Sequence, residues 1–191
     1  MKKWILLYII AIIFSGGCKS KQNKLESANT KDTVKFFPIQ EYYLQQLKYA
    51  ESIGSRKYKI TIEDRKTDSV TIDEKEFNQL VKQFSEPDIT AGASKKFYKQ
   101  NIFFDESTHS YTFNYTSINK SLPVESTDIL VDPETNQVKR IFINKAYTFG
   151  DSSIIEKLSW KNDSSFSINK IIQYNNQPDR IQQIKVVWNK N

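Results

Sequence analysis

From Phe97 to the C-terminus the sequence leaves no room for a crossover. Apolar and polar residues alternate in runs at about 97–105, 110–118, 122–131, 137–146, 154–161, 165–174 and 180–189. Between them lie short polar turns: D-E-S-T-H, N-K-S, D-P-E-T-N, G-D-S, K-N-D-S and N-N-Q-P-D. Period-two alternation marks strands with one buried face. Parallel neighbours need a connection of about a dozen residues or more, usually a helix, and none fits here. The segment therefore predicts an antiparallel meander. Asp132-Pro133 opens a type I turn, with Pro at the position whose φ it presets.

The residues before Phe97 supply helices. Pro38 opens a helical stretch whose Ile39, Tyr43, Leu47, Ala50 and Ile53 share one face, and Gly54 ends it. Tyr58, Ile60 and Ile62 alternate with polar residues. A polar stretch from Asp64 to Ser69 then leads to Val70 and Ile72, predicting a hairpin. Asp73 caps a second helix, with Glu76 at the capping-box position. Phe77, Leu80, Val81 and Phe84 form its docking stripe. Residues 85–96 read as a loop. The expected fold is α+β: a strongly twisted antiparallel meander or half-barrel of about 7–9 strands, with two N-terminal helices packed on one face. Residues 38–191 form the single folded domain. Tyr111, Phe113, Tyr115, Trp160, Phe166, Tyr174 and Trp188 fall on strands and read mostly as core or cross-strand pairs. In Phe97–Phe104 both faces are apolar, so periodicity does not choose a buried one; the run suits either a two-sided core strand or an apolar binding wall.

The N-terminus is an address. Lys2 and Lys3 precede an apolar run from Trp4 to Phe14, followed by Ser15, Gly16, Gly17 and the only cysteine, Cys18. The run is too short for the ~20 residues that span a bilayer and fits the apolar region of a secretory leader over residues 1–17. The residues alone also admit a plain secretory leader or an uncleaved anchor. The arrangement resembles the lipobox of bacterial lipoproteins, with Ser15 standing where that family usually carries Leu. The resemblance implies cleavage after Gly17 and acylation of Cys18, and it covers residues 1–18 only. Lys19 in place of Asp implies an outer-membrane anchor, with the domain facing the periplasm. Two or more acyl chains hold a protein stably in a membrane. Residues 18–37 form the lipidated cysteine and a polar tether that, as a flexible coil, spans roughly 23 Å.

Charge and residue counts then exclude function classes. The net charge of +6 arises mainly ahead of the domain: Lys2, Lys3, Lys19, Lys21, Lys24, Lys31 and Lys35 face only Glu26 and Asp32 there. The near-neutral domain lacks the basic stripe that nucleic-acid binding requires. One Cys and one His rule against zinc sites, disulfide scaffolds and His-based triads. No phosphate-binding loop or nucleophile elbow is present, so no enzyme and no cofactor is expected. His109, beside Asp105 and Glu106, reads as turn chemistry. Asp132, Glu134 and Asn136 suggest a calcium loop, but Gln137 occupies the position of its obligatory Gly. Asp32-Thr33-Val34 and Asp68-Ser69-Val70 resemble a bacterial O-glycosylation sequon, which implies modification at Thr33 and Ser69; the second also suits the start of the hairpin's return.

The leading expectation is a membrane-anchored envelope lipoprotein whose domain is a non-enzymatic protein-interaction module with an envelope protein as partner. The alternative is a periplasmic carrier or sensor of a lipid or other apolar ligand, which requires a cavity of ~300–1,000 Å³. A third reading, an enzyme-inhibitory or glycan-contacting module, requires exposed Tyr and Trp on a sheet face.

Overall fold

A computed structural model of the chain describes residues 36–63, 65–175 and 177–188. The expected leader, Cys18, Thr33 and most of the expected tether lie outside the described residues. The elements run α1 (Ile39–Ser52), β1 (Lys57–Glu63), β2 (Lys66–Ile72), α2 (Glu74–Ser85), a single turn α3 (Gly92–Lys95), β3 (Tyr98–Asp105), β4 (Ser110–Ser117), β5 (Val124–Val131), β6 (Val138–Phe149), β7 (Ser152–Lys161), β8 (Ser165–Tyr174) and β9 (Arg180–Val187).

The nine strands form one antiparallel sheet in the order β2-β1-β9-β8-β7-β6-β5-β4-β3. From β3 to β9 every neighbour is next in sequence, as the turn pattern requires. The hairpin β1–β2 extends this meander at its far end. There β1 pairs with β9, from Tyr58 opposite Val187 to Glu63 opposite Gln182. The sheet is open, with β2 and β3 as its edges.

One face of the sheet carries Ile141, Leu158, Trp160, Phe166, Ile168 and Val186, all buried, because alternate residues of a strand share a face. Both long helices dock there. Trp160 and Phe166 stack at 5.2 Å, and Tyr43 of α1 and Phe84 of α2 meet Trp160 edge-on at 5.0 and 5.3 Å. Phe77 packs against Trp188 at 5.4 Å. Such pairs contribute about 0.5–1.5 kcal/mol each beyond the area they bury.

Local rules place α2 as expected. The Asp73 carboxylate accepts the Glu76 N–H at 2.8 Å, while the Glu76 side chain pairs with Lys59 on β1 rather than returning to the cap. At the other end Lys145, 2% exposed, donates to the carbonyls of Gln83 (2.5 Å) and Glu86 (2.6 Å). These are carbonyls that a helix terminus leaves unsatisfied. Burial pushes the Lys145 ammonium below its ordinary value, opposed by nearby Glu156. Glu156 itself pairs with Lys170 at 2.9 Å.

Four expectations are corrected. The buried stripe of α1 is Ile39, Tyr42, Tyr43, Gln46 and Ala50; Leu47 is half-buried and Ile53 exposed. Gln46 faces inward because it binds the β7–β8 turn. Residues 66–69 belong to β2 rather than to a turn: Glu63 pairs with Lys66, and Arg65 at φ +64 tightens the bend. The β6–β7 turn is Gly150-Asp151 alone, since β6 runs to Phe149 and β7 starts at Ser152, with Gly150 at φ +53. The stretch 85–96 holds α3 and a buried Ile89. The expected end of α1 holds: Gly54 lies at φ +57, where only glycine is unstrained.

Candidate protein-docking edge

The two edges of the sheet differ in composition. β2 reads K-T-D-S-V-T-I, and Lys66 and Asp68 lie along it. Charges on an edge strand block pairing with another chain. β3 reads Y-K-Q-N-I-F-F-D; its charges, Lys99 and Asp105, stand near its two ends and leave Gln100 to Phe104 uncharged. Ile102, Phe103 and Phe104 are 51, 44 and 41% exposed.

Register assigns their faces. Ile102 lies opposite Phe113 and Phe104 opposite Tyr111, on the side of the sheet that bears the helices. Phe103 lies opposite Thr112, on the other side. The C-terminal half of β3 is thus apolar on both faces and open along its backbone edge. Its N-terminal half is held in place. Tyr98 is buried and donates its hydroxyl to the Val124 carbonyl at 3.0 Å. The Tyr115 hydroxyl accepts the Phe37 N–H at 2.9 Å, and Phe36 packs on the Tyr115 ring at 4.8 Å.

The turn after β3 stiffens this edge. The Asp105 carboxylate accepts the Ser107 N–H (2.9 Å) and hydroxyl (2.7 Å). The bond from the Ser107 hydroxyl holds the Asp105 carboxyl below the usual range. His109 takes φ +47 and meets Phe104 edge-on at 5.4 Å; Phe104 in turn meets Tyr111 at 5.3 Å. Lys139 donates to the carbonyl of Thr108 at 2.9 Å. His109 therefore walls an aromatic cluster, and the Asp105 carboxylate is engaged by its own turn.

The other sequence candidates are placed as follows. The Asp132 carboxylate accepts the N–H groups of Glu134 and Thr135, both at 3.0 Å, and Asn136 sits at φ +57. Those backbone bonds hold Asp132 below the usual carboxylate range. Ser69 is exposed in the middle of β2, with its N–H bonded to the Asp68 carboxylate at 2.9 Å. Among the described residues no group of three His, Cys, Asp or Glu side chains is placed to hold a metal ion. No described helix is long and apolar enough to cross a membrane. Tyr111 and Tyr174, expected mostly as core, are 47 and 39% exposed.

The space between helices and sheet is occupied by Tyr43, Phe77, Phe84, Trp160, Phe166 and Trp188. A surface groove of about 250 Å³ lies between α1 and α2, lined by Tyr43, Leu44, Leu47 and Val81 among others.

The sequence left Phe97–Phe104 open between a two-sided core strand and an apolar binding wall, because a strand apolar on both faces gives no side to bury; Ile102, Phe103 and Phe104 are exposed. The absence of charge from Gln100 to Phe104, against Lys66 and Asp68 in β2, is the feature that distinguishes it. Comparison with protein-family models, with curated proteins and with solved structures finds no match.

Proposed function

We propose that this chain is a lipid-anchored protein of a bacterial cell envelope whose domain is a non-enzymatic protein-interaction module. The β3 edge is its recognition element. The observation that carries the reading is the uncharged, doubly apolar segment Gln100–Phe104 on an open edge, opposite a β2 edge guarded by Lys66 and Asp68. The occupant is an extended segment of an envelope protein, added as a tenth strand. Main-chain hydrogen bonds supply affinity in this mode, and alternate side chains supply specificity. The partner strand therefore carries apolar residues on both sides, one set against Ile102 and Phe104, the other against Phe103.

The anchor is Cys18, acylated after removal of residues 1–17. Lys19 favours the outer membrane, with the domain facing the periplasm at the end of a polar tether. The carrier reading needs an apolar cavity, and aromatic side chains fill the interior. The mainly apolar groove between α1 and α2 is about 250 Å³, and the larger depressions, about 360, 490 and 390 Å³, are open and mostly polar-lined, so the interaction reading is preferred.

The test is photo-cross-linking in intact cells with p-benzoylphenylalanine at position 103, and at position 70 on the opposite edge as the control. A discrete heterologous product from 103 and none from 70 supports the reading. Products of twice the chain mass replace the partner by a second copy. Equal yields from both positions, or no discrete product from 103, overturn it.

A further inference from the structure

The sheet face turned away from the helices carries a second, independent feature. Across β6, β7 and β8, Arg140 stands opposite Lys161 and Lys161 opposite Ser165. One row along, Ser159 stands opposite Ser167 and Ser167 opposite Lys185 of β9. Opposed residues lie about 4.5–5.5 Å apart at Cα, and successive same-face positions about 7 Å apart. The three cations therefore surround three hydroxyls. With Phe166 these six residues line a shallow depression of about 360 Å³.

The cations are exposed, and among the described residues none of the three pairs with a carboxylate. Lys57, Lys59, Lys170 and Arg180 elsewhere on the sheet each do. The three serine hydroxyls likewise make no hydrogen bond among the described residues. Lys157 adds a further cation on the same face, two residues from Ser159. The carboxylate in the row of Ser159 is Asp128 of β5, beyond Phe142, and it is bonded to the Asn114 amide at 2.6 Å. Like charges directly opposite across strands repel. Arg140 and Lys161 are held in that arrangement by register, with no anion of the protein between them.

We infer that this depression binds a phosphate group. The planar guanidinium of Arg140 matches two phosphate oxygens. Lys161 and Lys185 neutralise the remaining charge, and the hydroxyls of Ser159, Ser165 and Ser167 donate from the floor. A lipid headgroup and a soluble phosphate ester share this chemistry. The site shares its face with Phe103 but lies on β6–β9, three or more strands in from β3, and does not depend on the docking edge.

The experiment uses the full chain in dodecyl maltoside micelles. One arm titrates sodium pyrophosphate by calorimetry. The other dopes the micelles with phosphatidylglycerol, against phosphatidylcholine, and follows the Lys161, Lys185 and Arg140 side-chain resonances. Saturable binding in either arm, weakened at least about ten-fold by the double variant R140Q/K161Q and unchanged by K75Q on α2, supports the site. Response to pyrophosphate assigns soluble phosphate; response confined to phosphatidylglycerol assigns the headgroup. R140Q alone is expected to raise the Tm of the phosphate-free protein, because it relieves the opposed charges. Absence of saturation in both arms, equal binding by the double variant, or a lower Tm for R140Q overturns the inference.

Discussion

The indole N–H of Trp160 donates to the Gln46 side-chain oxygen at 3.2 Å, joining the floor of the core to the helix above it. The same oxygen accepts the Asp163 N–H at 2.9 Å, and the Gln46 amide donates to the Asp163 carboxylate at 2.8 Å. One buried glutamine thus fixes α1 to the β7–β8 turn. Its amide is what a leucine of similar size cannot replace.

Gln46→Leu is expected to destabilise the domain by about 2–3 kcal/mol, because two buried donors lose their acceptor. Urea denaturation of the variant measures this. A loss under 0.5 kcal/mol would show that the donors find other acceptors.

Lys145 gives the protein a pH dependence of definite sign. Its ammonium is held below the ordinary 10.5 by burial. Between the depressed value and 10.5 the unfolded chain binds more protons than the folded one, so stability rises with pH across that window. The stability difference between the native chain and Lys145→Met should therefore grow as pH approaches 10.5 and level off at lower pH. Thermal melts of both proteins in a pH series test it, and a difference that shrinks with rising pH contradicts it.

Phe103→Lys should leave the free domain within about 0.5 kcal/mol of its stability, since the side chain is 44% exposed. The same change places a charge on the open edge and should abolish the cross-linked product formed from neighbouring position 101. Retention of that product would move the docking site away from β3.

Cys18→Ser should abolish incorporation of labelled palmitate and shift the protein from the membrane fraction to the soluble one, because a chain without acyl groups has no such anchor. Continued sedimentation with membranes after alkaline carbonate extraction would favour the uncleaved leader as anchor instead.

What the sequence disclosed depends on the range of each interaction. The Asp73 cap and the Phe77, Val81 and Phe84 stripe involve residues within one or two helical turns of each other, and they are found as read. The turn at Asp132 is equally local, its carboxylate bonding the next residues of the chain. The meander follows because short turns forbid anything else. The pairing of β1 with β9 had no local mark, since Tyr58 and Val187 are brought together only by the completed sheet. The inward turn of Gln46 was hidden for the same reason: a polar residue on an apolar face is explained only by partners more than a hundred positions away. Exposure of Ile102, Phe103 and Phe104 depends on which strand is last in the sheet, and composition does not state that order.

The meeting of β1 with β9 sets the timing of folding. Residues that leave a ribosome early include the hairpin β1–β2, yet the strand that receives it is the last of the sheet to be made. Until β9 emerges, β1–β2 is an isolated hairpin, which is marginally stable at best in water. Loops of this length close late and at an entropic cost. The chain therefore completes its sheet only once β9 is available to pair with β1.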